Sequence, residues 1–218
     1  MSSAADRRRQ ILDGISQAAT LARRDPAGVQ LIAVSKGRSA EAIEPLIEAG
    51  QRDFGENRIQ EALGKWPGLL ERHPNVRLHG VGRIQSNKAA EAVRLFDVIH
   101  SIDRRSLLQG LVKEAEKAQR APAVYVQVNI GGEEQKGGCP IEQTGTLVAA
   151  VRASPLPLAG LMAIPPLDLE PAPFFALLAK LARRHDVTGL SMGMSNDYKA
   201  AVMLGATAVR VGTALFED

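Results

Sequence analysis

Short apolar runs rich in Val, Ile and Leu alternate with helix-patterned segments along the whole chain, and this alternation restricts the fold more than any other feature. Apolar runs fall at residues 30–36, 52–55, 76–81, 98–101, 123–130, 158–164, 189–192 and 208–211. A helix is expected ahead of them over 4–23, with Ile11, Leu12, Ile15, Ala18, Ala19 and Ala22 on one side. Between the runs, one helix opens at Ser39 and closes at Gly50, and others cover 58–66, 87–95, 105–119, 141–153, 173–185 and 197–204. Strict alternation implies parallel strands joined by right-handed crossovers. Eight units point to an α/β fold: a single (β/α)8 TIM barrel spanning 1–218 as one domain, with an extra N-terminal helix filling the outer-ring place that no final helix takes. The competing architecture is an open doubly wound sheet, which has fewer strands and a GxGxxG turn after the first one; that turn is absent.

Charge and composition narrow the function. Across 218 residues, 27 basic and 24 acidic side chains leave a net charge of +3. That suits a small anionic ligand and does not call for nucleic acid, since aromatic residues are only 4% and the densest basic run, Arg7 to Arg9, reads as a solvated helix face. No run approaches the ~20 apolar residues of a membrane span. The N-terminus is polar and basic, without the apolar core of a signal peptide, so neither membrane nor nucleic acid is expected as a partner. The lone cysteine, Cys139, excludes an internal disulfide and a multi-thiolate metal site, and fits a cytoplasmic protein. No HExxH, paired-histidine or GxSxG pattern supports a zinc protease or serine hydrolase.

In a barrel of this kind the ligand face lies at the carboxyl ends of the strands. Polar and glycine residues recur there: Lys36, Gly55-Glu56-Asn57, the run from Gly82 to Lys88, His100 to Asp103, Asn129, Ser191-Met-Gly-Met-Ser195, and Arg210-Val-Gly212-Thr213. Lys36 ends the first apolar run. It is either an amine held at the barrel mouth by a rigid strand, its pKa lowered by partial burial for Schiff-base formation, or a strand-end lysine reaching solvent. Ser195, Gly212 and Thr213 form either a phosphate cup or a helix cap and a turn. Arg210 points either at a ligand or outward to a salt bridge. Asn57 is a polar contact or a helix cap. His79 and His100 read as satisfied core histidines, Asp103 as a helix cap, and Met162, Met192 and Met194 as apolar wall or core. The charged loop at 131–138 is a mobile lid or a solvated connection.

Together these stretches resemble the pyridoxal phosphate homeostasis protein family, whose fold is similar to the N-terminal barrel of alanine racemase. The matching runs are Ala33-Val-Ser-Lys36, Phe54-Gly-Glu-Asn57, Gly82-Arg-Ile-Gln-Ser-Asn-Lys88, Val128-Asn-Ile with Lys136-Gly-Gly138, Gly160-Leu-Met162, Leu190-Ser-Met-Gly-Met-Ser195 with Asp197, and Val209-Arg-Val-Gly-Thr213. They span the chain in order. The resemblance implies pyridoxal 5'-phosphate (PLP) as the cofactor, bound as a Schiff base on Lys36. Ser195, Gly212 and Thr213 would hold the phosphate, Arg210 would face the pyridine nitrogen, Asn57 would lie near the ring, and Met194 counts among the cofactor-binding residues.

The same residues bear on catalysis. PLP enzymes use the ring as an electron sink, which an acidic partner sustains by keeping the ring nitrogen protonated; an arginine offers only donors and cannot do so. Racemisation also needs an acid–base group on each face of the substrate carbon. In alanine racemases a C-terminal domain supplies a tyrosine for the second face, and neither Tyr125 nor Tyr198 is an evident substitute. The expectation is therefore a non-catalytic, monomeric PLP holder in vitamin B6 and amino-acid homeostasis, with PLP-dependent apoenzymes as recipients. The alternatives are a small racemase or lyase using Lys36 as base, and a phosphosugar aldolase.

Overall fold

The computed structural model describes residues 2–133 and 136–216. Eight parallel strands close into a barrel in chain order: β1 (Gln30–Val34), β2 (Asp53–Glu56), β3 (Arg77–Gly80), β4 (Val98–Ile102), β5 (Ala123–Gln127), β6 (Leu158–Met162), β7 (Leu190–Ser191) and β8 (Ala208–Val211). Closure is made by β1 against β8, with Ile32 opposite Arg210. Around the strands lie α1 (Ala4–Leu21), α2 (Ala40–Glu48), α3 (Ile59–Arg72), α4 (Ala89–Leu95), α5 (Arg105–Ala118), α6 (Thr144–Arg152), α7 (Ala172–Arg184), α8 (Tyr198–Met203) and α9 (Thr213–Phe216).

Side-chain alternation explains the layers. In β5, Val124 and Val126 join the large core between strands and helices, whereas Tyr125 packs with Val98 and Met162 in a separate cluster inside the barrel. The outer core includes fully buried Phe54 and Trp66, whose ring centroids lie 5.1 Å apart. Burying a side chain of that size contributes roughly 1.5–3 kcal/mol.

Helix α1 begins with a capping box: Asp6 N–H donates to Ser3 Oγ, and the Asp6 carboxylate accepts from the Ser3 backbone. It packs between α2 on one side and α8 and α9 on the other, as a ring-filling helix must. Two of the three basic residues on it make tertiary contacts. Arg7 Nε donates to Leu215 O at 2.8 Å, and Arg8 Nε donates to Gln51 Oε1 at 3.1 Å.

Three expectations need correction. The outer ring does carry a last helical turn, α9, after β8. Helix α3 does not stop at Trp66 but runs through Pro67 to Arg72; Pro67 lies on the exposed side, where water can satisfy the carbonyl it leaves unbonded. Strand β1 ends at Val34, so Lys36 stands in a turn beyond it.

Candidate functional site

A cavity of about 1060 Å³ opens at the carboxyl ends of the strands. Lys36, Asn57, Met194, Ser195, Arg210, Gly212 and Thr213 all line it, gathered from the ends of β1, β2, β7 and β8. Arg38, Arg83 and Gln127 line it too, and Leu167 and Leu169 form an apolar lip.

Lys36 is exposed, which goes against the partial burial that one of its two readings requires and agrees with a side chain reaching solvent. The chain leaves the strand because its backbone has other partners. Gly37 adopts φ +70, and Lys65 Nζ donates to both Ser35 O (2.7 Å) and Arg38 O (3.0 Å), clasping the turn on either side of Lys36. Lys65 is anchored in turn by Glu56 at 2.9 Å and Glu61 at 2.8 Å. Glu56 is fully buried and also accepts from Ser35 Oγ (2.5 Å) and Trp66 Nε1 (2.9 Å). Among the described residues the Lys36 side chain has no hydrogen-bond or ion-pair partner, and it reaches the cavity from a fixed backbone.

The opposite wall is built differently. Arg210 points inward and is 4% exposed. Nη1 donates to Ser191 Oγ at 2.6 Å and Nη2 to Ala163 O at 3.0 Å. Burial lowers its pKa to about 10, so it stays cationic at neutral pH. Ser191 is fully buried and serves Arg210 rather than the cavity.

The loops after β7 and β8 bring Ser195, Gly212 and Thr213 together on this wall. Gly212 N–H donates to Ser195 Oγ at 3.3 Å, which ties the two loops together. A Cβ on Gly212 would lie 3.3 Å from Val34 O, a tight contact, so glycine eases the approach of this loop to β1. Gly193 takes φ +92, open to glycine and strained for other residues. The helix cap is Asp197, whose carboxylate accepts from Met194 N–H at 2.5 Å, and this leaves Ser195 free to face the cavity. Asn57 caps nothing, since the N-cap of α3 is Arg58; it is exposed on the cavity wall. Asp103 is not a cap either: it pairs with Arg104 and, at 3.6 Å, with Arg83.

The donor set fits a phosphate-bearing aldehyde. An amine, a cup of hydroxyl and glycine backbone, and a buried cation share one cavity. Part of the 131–138 loop is tacked down beside it. Lys136 Nζ donates to Pro165 O at 3.2 Å, Asn129 exchanges hydrogen bonds with the Glu133 backbone, and Gly137 lines the cavity. Glu134 and Gln135, in the middle of that loop, lie outside the described residues. Among the described residues, no helix is long and apolar enough to cross a membrane, and no cluster of three or more His, Cys, Asp or Glu is arranged to hold a metal.

Comparison with known proteins places the chain in a family. The family model for the alanine racemase N-terminal domain matches residues 11–218. A pyridoxal phosphate homeostasis protein from Pseudomonas aeruginosa is 43% identical over 99% of this chain and 96% of its own length. One from Escherichia coli K12 is 39% identical, covering 95% and 93%. The solved structure of PipY from Synechococcus elongatus, with PLP bound, superposes with a TM-score of 0.80 at 40% identity over 93% of this chain and 100% of that one. A D-threonine aldolase from Filomicrobium marinum shares the fold (TM-score 0.70) at 16% identity, over 95% of this chain and 61% of its own.

Proposed function

The chain belongs to the alanine racemase N-terminal domain family, among its pyridoxal phosphate homeostasis proteins, and from that premise we propose that it binds PLP in this cavity and holds it for other proteins rather than for catalysis. The observation that carries the reading is the convergence of Lys36, Ser195, Arg210, Gly212 and Thr213 on one cavity. When bound, PLP supplies an aldehyde that bonds reversibly to an amine and a ring able to take up electrons. Lys36 Nζ is the amine, kept within reach by the Lys65 clasp on its turn. Ser195 Oγ and the backbone at Gly212 and Thr213 hold the phosphate. Arg210 faces the ring nitrogen, Asn57 lies beside the ring, and Met194 is apolar wall.

Two features favour holding over turnover. Arg210 is a buried cation with donors only, and cannot sustain the ring as an electron sink as a carboxylate would. No tyrosine lines the cavity among the described residues: Tyr125 stacks on His100 inside the barrel at 4.3 Å, and Tyr198 faces Gly14 of α1. We infer further that the protein acts in the cytosol as a single chain and passes PLP to PLP-dependent apoenzymes. The free, buried Cys139 suits a reducing compartment. Among the described residues the exposed large apolar side chains are few, Leu21, Leu63 and Met203 besides Leu167 and Leu169 at the cavity lip, which supports a monomer.

Visible absorption of the purified protein, with and without added PLP and before and after borohydride, tests the proposal beside Lys36→Ala. A yellow band that bleaches on reduction and is lost in the variant is expected. A protein that stays colourless with PLP overturns the cofactor assignment. Amino-acid turnover that disappears in Lys36→Ala overturns the non-catalytic half.

A further inference from the structure

Beneath the cavity a line of hydrogen bonds crosses the inside of the barrel, and holding PLP makes direct use only of its last member, Arg210. Asp53 Oδ1, at the start of β2, meets His79 Nε2 at 3.0 Å. His79 Nδ1 meets His100 Nε2 at 3.0 Å, and His100 Nδ1 meets Ser191 Oγ at 2.9 Å. Arg210 Nη1 completes the line at Ser191 Oγ, 2.6 Å away. His79, His100, Ser191 and Arg210 are each at most 4% exposed. Burial of a satisfied histidine needs one or two local partners; it does not need five residues from five strands in one unbroken series.

The two charged ends give the series a direction. Arg210 can only donate, so Ser191 Oγ receives a hydrogen from it. The Asp53 carboxylate can only accept, so His79 carries a hydrogen on Nε2. With one hydrogen on each ring, His79 Nδ1 must accept, so His100 carries its hydrogen on Nε2. His100 Nδ1 must then accept, and the Ser191 hydroxyl hydrogen fills it. Every bond points from the cation at the cavity to the anion at the far end of the barrel. An extra proton on His79 reverses the middle of the series: His100 would shift its hydrogen to Nδ1, and Ser191 Oγ would then receive two hydrogens. The charged and titratable groups that face the rings are Asp53 and Arg77 at one end, Arg210 at the other, and Tyr125 stacked on His100. Burial above all, then His79 and Arg210, pushes the His100 pKa well below its ordinary value, which keeps that ring neutral.

We propose that Asp53, His79, His100 and Ser191 are positioning residues for Arg210: their directed chain turns the Ser191 hydroxyl hydrogen away from the cavity and locks the guanidinium in one orientation against the ring nitrogen of its ligand. Only the identity of that ligand rests on the proposed function; the order of hydrogens is a property of the protein alone.

Two experiments separate the parts. In protein labelled with ¹⁵N-histidine, long-range ¹H–¹⁵N spectra at neutral pH without ligand, with His73→Gln and His185→Gln used for assignment, are expected to show both His79 and His100 protonated on Nε2. A hydrogen on His100 Nδ1 overturns the directed chain. The second is PLP titration of Asp53→Asn, a change at the far end of the barrel from the cavity. Positioning predicts affinity weakened on the order of tenfold and a shifted absorption band. Lower stability with affinity and band unchanged would mean that the chain only supports the fold, and would overturn the positioning role. If wild-type protein does not take up PLP, the proposed function fails while the tautomer measurement still stands.

Discussion

The two walls of the cavity hold their key side chains by opposite means. On the β1–β2 side, the backbone around Lys36 is clasped and the side chain is exposed. On the β7–β8 side, the backbone is ordinary strand and the Arg210 side chain is pinned by Ser191 and Ala163 O. A group that must form and break a bond has to move through a small arc; a group that only reads charge or hydrogen bonding is best kept from moving. The difference also places the energy. Beneath the lysine it lies in the Glu56–Lys65 pair, and beneath the arginine in a hydrogen-bond chain.

The largest effect is expected where the clasp is cut. Lys65→Met leaves the fully buried Glu56 without its charge partner, and breaking such a pair by removing one member costs about 3–5 kcal/mol. Urea midpoints measure this. The double variant Glu56→Gln, Lys65→Met should recover part of the loss, because no unpaired charge remains. Covalent uptake of an aldehyde by Lys36 should slow in the same variant. A cost below about 1 kcal/mol would mean that the pair supplies little and that the two walls are not built so differently.

An intermediate effect is expected on the arginine side. His100→Asn cannot bridge both His79 and Ser191, and leaving a buried partner unmet costs about 1–3 kcal/mol at neutral pH. Its dependence on pH is the sharper sign. Because burial holds the His100 pKa well below 6.5, the folded ring stays neutral while the unfolded one takes a proton as pH falls through about 6.5. The unfolded state then binds more protons, so this residue's contribution is intact above about 6.5 and erodes below it. Urea midpoints followed from about pH 7.5 down to about pH 5 should therefore fall less steeply in His100→Asn than in the wild type. Parallel slopes would show that His100 is not held neutral.

The walls also differ in how readable they are from sequence. The barrel follows from the alternation of apolar runs and helices, and the ligand face from Lys, Gly, Ser and Asn recurring at one end of the units. Gly212 and Ser195 belong to local patterns, so the cup is visible in a few consecutive residues. Lys36 was legible as a residue but not in its setting, because its turn is held by Lys65 from the middle of α3. The histidines were legible as core residues and no further. His79 and His100 meet only because β3 and β4 are neighbours, and Ser191 reaches them from β7 across the closed barrel. Such contacts depend on closure, which no local pattern encodes. Gln127 carried a fainter signal: a polar residue in step with the inward Tyr125 on β5.

The smallest effect on stability is expected at the residue on which the proposed function most depends. Lys36→Met changes an exposed side chain that makes no hydrogen bond or ion pair among the described residues, so its unfolding free energy should stay within about 0.5 kcal/mol of the wild type. The same change at Lys65 removes four contacts, to Ser35 O, Arg38 O, Glu56 and Glu61. One substitution type made on the same wall thus separates the two tasks. At Lys36 it should abolish borohydride-trapped PLP while leaving the urea midpoint in place. At Lys65 it should move the midpoint strongly and leave the reactive amine present but poorly held. If Lys36→Met were as destabilising as Lys65→Met, the lysine at the cavity would be part of the scaffold, and the contrast between a free reactive group and a pinned contact group would not hold.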